Sequence, residues 1–217
     1  MILPSDKQIK NAKQESPWDF GNKILYNLCK KHYSHKQDQY IITKVLFIGR
    51  IYAAAIERRK IKKKDINDNF YIHTIVPKFK KSRLDYHLNE LKKLKQTTSI
   101  NIQEVLQTHG YLTSTLKTIT DLDKRSFVSK YLHFHLPEFF FIYDSRAATA
   151  IRQFCSQVPK DLKHFIHIDG VDTEYAKFFC KCFELKKRIK AHYKISLTPR
   201  QLDRLLIESF NKKNGMK

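Results

Sequence analysis

The residue best placed to do chemistry is an acid, Asp144. It follows the apolar run Phe139, Phe140, Phe141, Ile142 and Tyr143 and opens a helical pattern, with Lys124, Arg125, Lys130 and Arg146 close to it in sequence. A carboxylate held by aromatic residues among cations suits a site that must stabilise developing positive charge. The same acid has a plainer role, since Asp at the mouth of a helix accepts hydrogen bonds from the orphan amides of the first turn. At this level both readings stand.

The elements that must position Asp144 follow from periodicity. From Ser126 to His135 the residues Phe127, Val128, Tyr131, Leu132 and His135 share one helical face. Pro137 ends that helix, because the residue before a proline is pushed out of the helical region. The run from Phe139 is too apolar to lie in water and delivers Asp144 onto a helix from Ser145 to Gln157. That helix is expected to bury Ala147, Ala148, Ile151, Phe154 and Cys155 and to turn Arg146 and Arg152 outward.

A turn, a helix, an apolar run and an Asp opening the next helix together resemble the core of the helix-hairpin-helix DNA glycosylases. The hairpin would be Thr120-Asp121-Leu122-Asp123-Lys124-Arg125, and the step from Arg125 to Asp144 suits the family spacing. Asp121 and Asp123 stand where the family has hairpin glycines. The resemblance implies an all-α, glycosylase-like fold of two helical lobes with a cleft, acting on duplex DNA with a flipped base. It implies two catalytic positions. Asp144 would stabilise the oxocarbenium-like sugar or orient the attacking water. Arg125 would occupy the place of the Schiff-base lysine of bifunctional members, and a guanidinium cannot serve as an amine nucleophile, so monofunctional hydrolysis is expected.

Composition points to the same class of partner. The chain of 217 residues carries 42 Lys and Arg against 21 Asp and Glu, a net charge of +21 spread along its whole length. Such a chain repels itself and is suited to a polyanion, nucleic acid first. Candidate phosphate contacts are Arg58 and Arg59 in the basic run from Glu57 to Lys64, with Lys124, Lys130 and Arg146; candidate stacking partners for a flipped base are Tyr131 and Tyr143. A non-enzymatic nucleic-acid-binding helical protein is the alternative, for which the same basic residues suffice. The four cysteines imply no disulfide framework, and no metal or cofactor is expected. There is no secretory signal and no long apolar stretch, so a cytoplasmic monomer without membrane contact is expected.

In order, residues 1–16 read as a flexible basic arm and 17–217 as one helical domain, with a division into two lobes near 110–120 left open. Trp18 is expected to anchor the arm. A first helix would bury Phe20, Ile24, Leu25, Leu28 and Cys29, and a second would run from Gln39 to Lys62, with Gly49 and the alanines from Ala53 admitting a close neighbouring helix. Phe70 to Val76 reads as extended or as a short helix. Helices follow at Ser82 to Leu94, at Ile100 to Leu116 with Thr98 and Ser99 as caps and His109 in the core, from Thr173, and from Thr198-Pro199. The expectation is an all-α fold of roughly eight helices.

Overall fold

The computed structural model describes residues 2–59, 67–94 and 101–215. These are all helix and loop, and the helices number eleven among the described residues, not eight. They are α1 (Asp6–Lys13), α2 (Trp18–Lys31), α3 (Asp38–Leu46), α4 (Asn67–Phe70), α5 (Val76–Lys80), α6 (Leu84–Lys92), α7 (Ile102–Thr120), α8 (Arg125–His135), α9 (Ser145–Phe154), α10 (Thr173–Tyr193) and α11 (Pro199–Lys213). The capping expected of Thr98 and Ser99 and most of the basic run, 60–64, lie outside the described residues.

The centre of the molecule is α8, and it is buried on all sides. Every residue from Phe127 to His135 is shielded from solvent, where one apolar face was expected. Its polar side chains are therefore obliged to find partners inside the protein. His133 donates from Nδ1 to the Phe140 carbonyl at 2.9 Å, and its Nε2 accepts from the Tyr26 hydroxyl at 2.6 Å. His135 donates to the Tyr131 carbonyl at 2.8 Å and accepts from the buried Lys44 ammonium at 3.2 Å. The Tyr131 hydroxyl donates to His35 Nε2 at 2.7 Å, and His35 in turn binds Asp85 at 2.5 Å. These bonds tie α8 to α2, α3 and α6.

The amino-terminal segment is not a frayed arm. Ser5 and Gln8 form a reciprocal capping box on α1, and Ile9 and Ala12 are buried. The segment packs on α11, where Gln8 donates to Ser209 and Asn11 to Glu208. Trp18 is not its anchor, being 61% exposed. On α2 the buried stripe runs through Asn22, Leu25 and Cys29, which leaves Phe20 and Ile24 in solvent.

The expected second helix stops early. After α3 the chain makes one wide turn over Phe47–Ile51 and reverses at Ala53, whose φ is 51°. Gly49 admits this returning chain rather than another helix: a Cβ there would lie 3.7 Å from Ala55 Cα. Tertiary bonds hold the reversal, since Glu57 accepts from Tyr71 at 2.7 Å and pairs with Arg50 at 2.9 Å, while Lys124 donates to the Ala55 and Arg58 carbonyls. The 70–76 segment lies in a helical rod that continues from α4 through a wide turn at Tyr71–Ile75 into α5. The widened turn precedes Pro77, whose ring would clash with the carbonyl four residues back in a regular helix. Residues 110–120, where a division into two lobes was left open, are the second half of α7, and Leu112 and Leu116 are buried in the core.

Candidate active site

Asp144 is both a helix cap and part of a cleft wall. The preceding loop is buried from Phe139 to Ile142 and held to α8, the Tyr143 amide donating to Ser129 Oγ at 2.9 Å. At its end Asp144 Oδ1 accepts from the Ala147 amide at 2.9 Å, the bond expected of an N-cap. The other oxygen, Oδ2, faces Arg146 Nη2 at 3.7 Å, and 21% of the side chain remains accessible.

Asp144 borders a cleft of about 830 Å³, walled by the start of α2, the turn at Ile51 to Ala53, α8, the start of α9 and α11. Lys130, Arg146, Arg200, Arg204 and Lys212 supply positive charge, and Trp18, Tyr52, Phe134, Ile142 and Ile207 supply apolar surface. Lys130 is 8% exposed and donates to Ser126 Oγ at 2.7 Å; burial lowers its pKa, against the opposing pull of Asp144 and Asp203. Arg204 spans the floor to Asp19, 2.9 and 2.8 Å from its two oxygens.

A second acid, Asp203, shares the wall. Its Oδ2 accepts from Arg200 Nη1 at 2.7 Å, while Oδ1 is buried without a partner. Burial pushes its carboxyl up to about 6; Arg200, Lys130 and Arg146 oppose that rise and nearby Asp144 adds to it. Among the three acids on the lining, Asp144 is a part-exposed cap and Asp203 a buried group with a raised pKa, while Glu208 accepts from Asn11 at 2.8 Å.

Other expected site residues lie elsewhere. Arg125 turns away from the cleft and binds Asp172 at 2.6 Å and Asp123 at 3.3 Å. Lys124 is 9% exposed and spent on the Ala55 and Arg58 carbonyls, and burial lowers its pKa to about 8. Arg59 stacks on Phe70, 4.1 Å from the ring centre, leaving Arg58 exposed beside it and outside the cleft lining. Tyr131 is fully buried and cannot receive a base; Tyr143 packs edge-on against Tyr175 and Phe178, away from the cleft. Of the expected set, Asp144, Lys130 and Arg146 are brought together.

The residues that complete the cleft, Asp203, Arg200, Arg204, Trp18 and Tyr52, were not expected at the site; Trp18 was expected to anchor the arm. One signal was present: Asp203 sits within the stripe Leu202, Leu205, Leu206, where a charged residue breaks an apolar face. His109 is fully buried as expected and stacks on Tyr175 at 3.5 Å, its Nε2 without a side-chain partner. Among the described residues no group of three or more His, Cys, Asp or Glu stands together as a metal site, and no helix is long and apolar enough to cross a membrane. Comparison of the chain with known protein families, with curated proteins and with solved structures found no match.

Proposed function

We propose that this cleft binds nucleic acid and that the protein hydrolyses the N-glycosidic bond of a modified base in DNA, without lyase chemistry. The observation that carries the reading is the part-exposed carboxylate of Asp144, its Oδ2 facing Arg146, in a cleft that also holds Lys130 and Arg200. When a base departs with the bonding electron pair, positive charge develops at the anomeric carbon, and a fixed anion beside it lowers the barrier. The cap bond through Oδ1 fixes the carboxylate, so Oδ2 is preorganised rather than free to rotate. Water then adds to the anomeric carbon and its proton is released. The exposed Arg146 and Lys212 are suited to phosphates flanking the reacting sugar. Arg125, paired to two carboxylates, takes no part in this scheme. Assay of wild type and Asp144→Asn on duplexes carrying modified bases tests it: abasic product should form with the first and not with the second.

The other reading, a nucleic-acid-binding protein without catalysis, is favoured by one observation. The 2.9 Å bond from Ala147 to Oδ1 is a sufficient structural reason for an acid at position 144. Under it the wild type binds DNA and forms no abasic product from any of those duplexes.

A further inference from the structure

The single tryptophan of the chain is 61% exposed, and it lies on the cleft. Leaving so large an apolar ring in water forgoes burial worth having, so its position asks for an occupant. Its backbone is nonetheless fixed. The next residue, Asp19, accepts from the Ser16 amide at 2.6 Å and is gripped through both oxygens by Arg204. Tyr52, across the same cleft, is held by a 2.7 Å bond from its hydroxyl to Asn22. A fixed backbone under Trp18 and a tethered Tyr52 lower the ordering needed when something flat settles between them.

Charge says what that flat group must be attached to. Arg146 and Lys212 are exposed on the same cleft, so its ligand combines a ring with an anion. A nucleotide has both. The other exposed apolar residues of α2, Phe20 and Ile24, do not line the cleft. Two residues along a helix turn through about 200°, which points Phe20 away from Trp18. Trp18 therefore shares the cationic cleft with one other exposed large apolar residue, Ile51, and stands apart from Phe20 and Ile24.

We infer that Trp18 is a stacking platform for a nucleobase, with Arg146 and Lys212 receiving the adjoining phosphates. The inference rests on the reading that the cleft takes nucleic acid, and it does not depend on base release. It assigns base contact to Trp18, in place of Tyr131 and Tyr143.

Because no other tryptophan is present, emission excited at a wavelength that tyrosine does not absorb reports this position alone. The protein is titrated with a thymidine decamer and with a decamer of abasic deoxyribose phosphates, following tryptophan emission and, in parallel, the anisotropy of a dye on each strand. Saturable quenching by the thymidine decamer, with none by the abasic strand, is expected. Trp18→Ala should weaken thymidine binding about tenfold and leave abasic binding unchanged, and Trp18→Phe should restore most of it. Binding of the thymidine decamer without quenching, or with equal affinity to Trp18→Ala, would overturn the inference while leaving the polyanion cleft intact. Failure of both strands to bind would remove the cleft reading and the inference together. Quenching by vesicles of anionic phospholipid but not by either strand would assign the ring to a lipid surface and likewise overturn it.

Discussion

Arg200 and Asp203 pair within one turn of α11, Nη1 to Oδ2 at 2.7 Å, yet the second oxygen of Asp203 is buried without a partner. One ion pair does not repay burial of the whole carboxylate, which is why its carboxyl titrates near 6 instead of near the ordinary 3.8. Between those values the folded protein keeps a proton that the unfolded chain has released, so this group lowers stability as pH rises through that window. Asp203→Asn is expected to stabilise the protein at pH 7 by about 1 to 3 kcal/mol, an advantage that vanishes below about pH 4. Denaturant unfolding at both pH values checks it; an asparagine variant less stable at neutral pH would contradict it.

The histidines act in the opposite direction. Burial lowers the pKa of His133 to about 3, and burial also lowers those of His35, His109 and His135. On unfolding each takes up a proton near its usual value, so His133 should lower stability by about 1.4 kcal/mol per unit as pH drops from about 6.5 towards 3, and the other three add to the fall below about 6.5. Urea midpoints measured for the Asp203→Asn protein, in which the opposing acid is absent, should decline steadily from pH 7 to pH 5. A flat profile would mean that these rings are not held neutral.

One substitution at two helical glycines should have opposite signs. At Gly21, in α2, a Cβ meets nothing within 4 Å, so Gly21→Ala should gain about 0.5 to 1 kcal/mol from helix propensity. At Gly110, in α7, the same Cβ would lie 2.0 Å from the Gly170 carbonyl oxygen and 2.9 Å from Val171 Cα. Backbone must move to admit it, and Gly110→Ala is expected to lose about 2 kcal/mol or more. Thermal unfolding of the two variants compares them directly.

Lys124 and Arg146 were both expected to touch phosphate, but the fold gives them different work. Lys124→Met should cost about 1 to 3 kcal/mol of stability, because two carbonyls lose their donor, while duplex binding at fixed salt is nearly unchanged. Arg146→Ala should leave stability almost untouched and weaken duplex binding, with a salt slope shallower by about one charge. The reverse assignment in a salt titration would move the interface to the Lys124 face.

What could be read from the chain beforehand divides along local and non-local causes. Asp144 at the mouth of α9 was legible because a cap depends on a few neighbouring atoms, and so was the Thr198-Pro199 start of α11. The end of α3 was not, since nothing in Ala53-Ala54-Ala55 disfavours helix; the reversal is held by Tyr71, through Glu57, and by Lys124, both from distant parts of the chain. The full burial of α8 was hidden for a similar reason. His133 and Lys130 look like a wet face until their partners Tyr26, the Phe140 carbonyl and the Ser126 hydroxyl are known. The cleft itself joins residues from Trp18 to Lys212, and only Asp144, Lys130 and Arg146 were within reach of a reading centred on one stretch.

The central claim is that the carboxylate of Asp144 does chemistry on a sugar as well as capping a helix. The most direct measurement is single-turnover base release from a panel of duplexes bearing modified bases, run with wild type and with Asp144→Asn, whose amide can still cap α9. Abasic product with the wild type, and loss of at least about a hundredfold in rate with unchanged or tighter duplex binding for the variant, is expected. Equal release by the two proteins, or no abasic product from wild type on any duplex, would leave Asp144 as a cap in a protein that only binds.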